Sequence, residues 1–137
     1  MAVILKDETA WIKSSSDIVK VRQLVRDWAI AMGFSLVEQT KIVTAASELA
    51  RNALDYGGGG EVRLEMIQNE LRRGLKVTSV DQGSGIPDLE QALKDGFSTG
   101  TGMGLGLSGA KRLVNEFEID STPGRGTKVS ITRWRNT

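Results

Sequence analysis

In "SELARNALDY" a carboxylate and an amide, Glu48 and Asn52, stand four residues apart. On a helix that spacing puts both on one face. Asp55 follows near the same stripe, while Ala45, Ala46, Leu49 and Ala53 offer an apolar face to a core. A solvated polar face would account for this pattern. The chemical reading is a carboxylate beside an amide oxygen, able to hold a hydrated Mg²⁺ and orient a nucleophile. Mg²⁺ keeps several waters and takes few protein ligands, so one amide oxygen suffices where phosphates supply the rest.

Two further stretches carry chemistry. "VTSVDQGSGIPD" runs a strand into Asp81, followed by Gly83 and Gly85. A carboxylate at a strand end can accept a hydrogen bond from an exocyclic amine such as adenine's, and the glycines would let a ligand lie flat on backbone. An ordinary loop would read the same way. "GTGMGLGLSG" places glycine at 100, 102, 104, 106 and 109. Glycine loses more conformational entropy on folding than any other residue, so either such a run is disordered or something must approach its backbone closely. The last of these glycines open a helix, whose free N–H groups favour an anion. "GLGLSG" also matches the dinucleotide pattern G-x-G-x-x-G, but that pattern needs a strand directly before it. "GFSTGT" is no strand, and the dinucleotide reading is rejected. The P-loop pattern G-x-x-x-x-G-K-[ST] is absent as well.

These stretches need elements to hold them. "VILKDETAWIK" reads as an opening strand. In "SSSDIVKVRQLVRDWAIAMG", Ile18, Val21, Val25, Trp28 and Met32 recur at helical spacing, with serines at the start and Gly33 at the end. Trp28 belongs to the core on this reading. A second helix opens at Ser35, with Glu38 completing a capping box, and stops at the glycines 57–60. "EVRLEMIQ" and "GLKVTSV" form a hairpin by alternation of Val62, Leu64 and Met66. "PDLEQALKDG" reads as a short helix. "LGLSGAKRLVNEF" reads as a third long one, with Leu107, Ala110, Leu113, Val114 and Phe117 at core spacing. "EIDST", the turn "PGRG" and "TKVSITRW" close the chain as a hairpin. The order predicts an α/β two-layer sandwich, with helices on one face of a mixed, mostly antiparallel sheet.

The 137 residues fit a single domain spanning 1–137. With 18 Lys and Arg against 17 Asp and Glu, the net charge of +1 makes no general case for nucleic acid or a membrane surface. There is no Cys, hence no disulfide and no thiolate metal site. The absence of His removes the commonest general base, the commonest metal ligand and any phospho-accepting histidine. No run approaches a transmembrane length, and "MAVILKDETA" lacks a basic start, so the expected location is cytoplasmic.

The motifs together, E-x-x-x-N on a helix, strand then D-x-G-x-G, G-x-G-x-G-L opening a helix, and G-x-G-T in a final hairpin, resemble those of the GHKL ATPase superfamily. The resemblance implies the Bergerat-type sandwich. Gyrase- and MutL-type members need a second domain that supplies a lysine to the γ-phosphate, for which there is no room. A histidine kinase needs an acceptor His. What remains is the stand-alone class, the anti-sigma serine kinases. "ASELARNALDYGGGG", "VDQGSGIPD" and "DGFSTGTGMGLGLSGAKRLVNEF" look like the switch kinases of the bacterial stressosome, over residues 11–134.

The resemblance implies ATP and Mg²⁺ as cofactors and a role for each matching position. Asn52 would bind the metal, and Glu48 would be the general base for a serine or threonine hydroxyl. Asp81 would accept from the adenine amine, helped through water by Thr127. Gly83 and Gly85 would shape the nucleotide floor. Gly102, Gly104 and Gly106 would wrap the phosphates, with Met103 and Leu105 among them, and Gly96, Thr99, Gly100 and Thr101 would belong to a lid. One departure from the usual pattern is that the glycine loop contains no Lys or Arg; Arg51 lies beside the base, and Lys111 and Arg112 lie further down the helix. The implied partners are a small STAS-domain antagonist as substrate and a PP2C-type phosphatase that the released kinase activates. The rival reading is an ATP-binding anti-sigma module that holds its partner without phosphorylating it. Glu48 favours chemistry, because a pure binder has no need of it.

Overall fold

The computed structural model describes residues 2–83, 106–122 and 124–135. The chain opens with strand β1 (Val3–Ile12) and helices α1 (Ser15–Ala31) and α2 (Leu36–Gly57). The hairpin β2 (Gly60–Asn69) and β3 (Arg72–Asp81) follows. Helix α3 (Gly106–Arg112) precedes a second hairpin, β4 (Glu116–Thr122) and β5 (Gly126–Trp134). The strands form one sheet in the order β1-β2-β3-β5-β4. All four pairings among the described residues are antiparallel, so the sheet is not mixed there. The chain leaves β3, passes through α3 and enters at the far edge as β4. That route places β5, the last strand, in the interior of the sheet beside β3.

α1 and α2 lie on one face. α2 packs against β1, β2, β3 and β5, and α1 packs against β1 and α2. The alternation expected of β2 points Val62 and Leu64 into this layer, where they meet Ile42, Leu49, Val77, Val129 and Ile131, all essentially inaccessible. Trp28 is buried, as its helical spacing implies; its Nε1–H donates to Glu8 Oε1 on β1 at 3.1 Å. Both ends of α2 conform to the sequence. Ser35 Oγ accepts from the Glu38 N–H at 3.2 Å, and the Ser35 N–H donates to Glu38 Oε1 at 3.1 Å. The helix stops at Gly58, whose φ of 69° lies in the left-handed region.

The third helix departs from expectation. It ends at Arg112, and Glu116–Thr122, expected to begin only after Phe117, is a strand. Leu113, Val114 and Phe117 do lie partly buried against the core, as their spacing implied, but only Leu107 and Ala110 do so from within the helix. The competing signal is the alternation of Phe117 and Ile119 with Glu116, Glu118 and Asp120. It pairs Phe117 with Ile131 and Ile119 with Val129. Asn115 completes the switch: its N–H donates to Thr132 O at 2.9 Å, and its Oδ1 accepts from the Trp134 N–H at 2.7 Å. Sheet pairing with β5 therefore overrides helix continuation.

Candidate nucleotide and phosphoryl-transfer site

α2 presents Glu48 and Asn52 towards the start of α3. Asn52 is buried, at 9% exposure, and Glu48 is half-buried. This is not a solvated helix face. α2 packs on α3, and the Gly106 N–H donates to the Glu48 carboxylate. Burial pushes the Glu48 pKa above the ordinary glutamate range. The Arg51 charge and the Gly106 N–H pull it back, and Asp55 raises it. Gly106, expected among the phosphate-wrapping glycines, is thus the residue that ties the end of the glycine loop to the carboxylate of α2. Its φ of 66° is one that glycine adopts without strain.

Asp81 ends β3, 3% exposed. Its Oδ1 accepts from the Gly83 N–H at 3.0 Å, and its carboxylate also accepts from the Thr127 N–H. Burial pushes its pKa above the aspartate range, against the pull of those two N–H groups. Thr127 is its register partner on β5, and the Thr127 Oγ1 lies 2.8 Å from Ser121 Oγ on β4. The Thr127 contact to Asp81 seen here is thus a direct one, through the backbone.

The C-terminal end of α2 meets this carboxylate. A Cβ on Gly57 would fall 2.6 Å from Asp81 Oδ1, and one on Gly83 would fall 2.6 Å from Tyr56 O. The backbone of α2 therefore lies flat on the end of β3, and glycine at both positions allows it. The free space at Gly83 is taken by the chain's own helix, so helix–strand packing accounts for that glycine. Gly57, which sequence reasoning read only as a helix stop, borders the Asp81 carboxylate. The contact joins the two clusters into one site, because a single helix carries Glu48 and Asn52 and touches Asp81 at its end. Gly85, Gly96, Thr99, Gly100, Thr101, Gly102, Met103, Gly104 and Leu105, with the short helix expected at 87–96, lie outside the described residues.

The donor set fits a metal shared with phosphates rather than one caged by protein. Among the described residues no three His, Cys, Asp or Glu side chains are grouped to hold an ion. The Asn52 Nδ2 is buried with no hydrogen-bond partner among the described residues. An unpaired buried amide is costly, and the two ends of an amide occupy the same space, so either its nitrogen or its oxygen can face a ligand there.

Residues 37–136 match the family of histidine kinase-, DNA gyrase B- and HSP90-like ATPases. The chain belongs to this family. Its members bind ATP. The chain is also 46% identical over 123 residues to the serine/threonine-protein kinase RsbT of Bacillus subtilis (strain 168), covering 90% of this chain and 92% of that protein. By this measure it groups with the RsbT-type serine/threonine-protein kinases. It is 29% identical over 132 residues to the anti-sigma F factor of Thermoanaerobacter sp. (strain X514), covering 93% and 92% of the two chains. Two solved structures share the fold. One holds the RsbU and RsbW domains of Rv1364c from Mycobacterium tuberculosis, with a TM-score of 0.68 at 20% identity, covering 96% of this chain and 33% of that one. The other is the SiaB–SiaC complex from Pseudomonas aeruginosa, with a TM-score of 0.55 at 14% identity, covering 96% and 90%. Among the described residues no helix is long and apolar enough to cross a membrane.

Proposed function

We propose that the chain transfers the γ-phosphoryl group of ATP to a serine or threonine of a small STAS-domain protein, and that, once free of that protein, it binds and activates a PP2C-type phosphatase. The observation that carries this reading is the α2 stripe. Glu48 is half-buried with its carboxylate tied to the Gly106 N–H, and a turn further on the buried Asn52 Nδ2 has no hydrogen-bond partner among the described residues. Solvation explains neither.

Each group has a task on this reading. Glu48 takes the proton from the acceptor hydroxyl as its oxygen bonds to the γ-phosphorus. The bridging oxygen leaves with ADP. A base with a pKa above the ordinary carboxylate range suits this, since efficiency peaks when the pKa approaches the working pH. The Gly106 N–H orients that carboxylate. Asn52 is the residue that would hold Mg²⁺, which when bound neutralises charge on the phosphates. Asp81, with Oδ1 engaged by the Gly83 N–H, keeps acceptor capacity for an adenine amine. Gly102, Gly104 and Gly106 would line the phosphates with Met103 and Leu105, Gly85 would border the nucleotide, and residues 96–101 would close over it. Phosphoryl transfer asks mainly for positioning and electrostatic stabilisation, so this small set is chemically sufficient.

The RsbT name of one relative and the anti-sigma name of others support partner switching as the setting. The test is transfer of label from [γ-³²P]ATP to a STAS-domain protein encoded beside this chain. Labelled phosphoserine or phosphothreonine is expected. Tight ATP and partner binding with no label transferred would make the chain a binder.

A further inference from the structure

The glycine loop between residues 96 and 106 contains no Lys or Arg. The γ-phosphate brings negative charge to a site whose nearest ionisable group, Glu48, is itself an acid. Beside the Mg²⁺ that Asn52 would hold, a side-chain cation can offset both. Three are near in sequence. Lys111 and Arg112 are exposed on the last turn of α3, five and six residues beyond Gly106, which at a rise of about 1.5 Å per residue puts them roughly 8 Å along the helix. Arg51 is closer to the chemistry. It is half-buried on α2, one turn from Glu48 and adjacent in sequence to Asn52. Its charge acts on the Glu48 carboxylate and offsets part of the rise in pKa that burial causes. Yet among the described residues no carboxylate lies within 4 Å of its guanidinium, Asp55 four residues on included. The cation is beside the site, and no carboxylate of the described residues consumes it in an ion pair.

We propose that Arg51 is the residue that recognises the γ-phosphate and lets the site tell ATP from ADP. The inference rests on the ATP-dependent kinase reading and adds to it a cation that the loop lacks. The chemistry is suited: a guanidinium presents a rigid fork that meets phosphate oxygens in pairs and stays charged at every working pH. From a helix turn beside Glu48 it would also screen the base from the phosphate it faces.

The test compares nucleotides rather than turnover. Wild type, Arg51→Gln and Arg51→Lys are titrated calorimetrically with ATP and ADP in Mg²⁺, with circular dichroism to check folding. Losing one charge-assisted contact should lower ATP affinity by about 10- to 100-fold. ADP affinity should stay at the wild-type value, and Lys should restore part of the ATP preference. An ATP-to-ADP ratio unchanged in Arg51→Gln overturns the proposal, whether both affinities hold or both fall together. If Gln prevents folding, Arg51→Met keeps the stem, and the same ratio decides. The kinase reading fails separately, if the wild type binds no nucleotide or binds it without transferring phosphate.

Discussion

α1 and α2 are built alike and do different things. Each opens at a serine with an acidic residue three positions on, each is amphipathic, and both pack on the same face of the sheet. Their polar residues diverge. On α1 the buried residues are all apolar: Ile18, Val21, Val25, Trp28 and Ala29. Its polar stripe is satisfied at the surface, with Gln23 Nε2 donating to Asp27 Oδ1 at 2.8 Å and Lys20 3.8 Å from Asp17. α2 buries the Asn52 Nδ2 without a hydrogen-bond partner among the described residues, and half-buries Glu48. The two acids show the same divergence. The Lys13 N–H, with Ser14 and Lys20 assisting, holds the Asp17 carboxyl below its ordinary range, whereas burial drives Glu48 above it. A helix that only packs keeps its charges wet or capped. A helix that works holds polar groups where they are uncomfortable, because the group that satisfies them arrives with the substrate.

The largest effect on ATP binding should come from Asn52→Ala. Loss of outer-shell partners of a metal already weakens binding by about 10- to 100-fold, and a direct ligand should count for no less. Calorimetric titration with ATP in Mg²⁺ should show at least that loss, with circular dichroism unchanged. Gln23→Ala on α1 should leave ATP affinity as it is and move stability by no more than about 0.5 kcal/mol. Equal effects of the two substitutions would erase the distinction between the helices.

Asp81 sharpens the comparison at the far end of α2. If its carboxylate accepts from the adenine amine, the site prefers ATP to GTP, which presents a carbonyl there. The mismatch is worth about 1–3 kcal/mol, and Asp81→Asn should blunt the preference while weakening ATP. Equal competition by ATP and GTP at the wild-type site would remove the adenine role.

The smallest effect is a gain in stability. The folded-state pKa of Glu48 is raised, so protonated Glu48 favours the fold below the unfolded-state pKa, and that contribution is lost as pH rises through the raised value. Glu48→Gln keeps the uncharged form at every pH. It should therefore melt slightly above wild type at neutral pH, and the gap should close as pH falls into the ordinary carboxylate range. A melting temperature that drops at neutral pH would mean that ionised Glu48 stabilises the fold.

Much of this architecture was legible in local patterns. Capping residues marked the starts of both long helices, alternation marked β2, and the hairpin readings placed β3 and β5. The boundary between α3 and β4 was not legible, because Leu113, Val114 and Phe117 satisfy helical spacing while Phe117 and Ile119 satisfy alternation. Pairing with β5, a contact across the fold, decides between them. The site divides similarly. The i, i+4 spacing of Glu48 and Asn52 put them on one face, but whether that face was wet depended on α3 docking against it. Gly57 escaped notice because its reason for being glycine, the Asp81 carboxylate, comes from a different element. The Thr127 N–H joins Asp81 only through the register of β3 and β5.

The claim on which the account stands is that Glu48 performs chemistry rather than binding. Glu48→Gln keeps the size of the side chain and its capacity to accept from the Gly106 N–H while removing the base. ATP affinity in Mg²⁺ and single-turnover transfer to the STAS-domain protein should be measured on the same preparation. The account predicts affinity within a few-fold of wild type and transfer slower by about 10²–10⁴-fold, the range for a lost general base. Transfer at the wild-type rate, or a loss no larger than the loss of ATP binding, would contradict it.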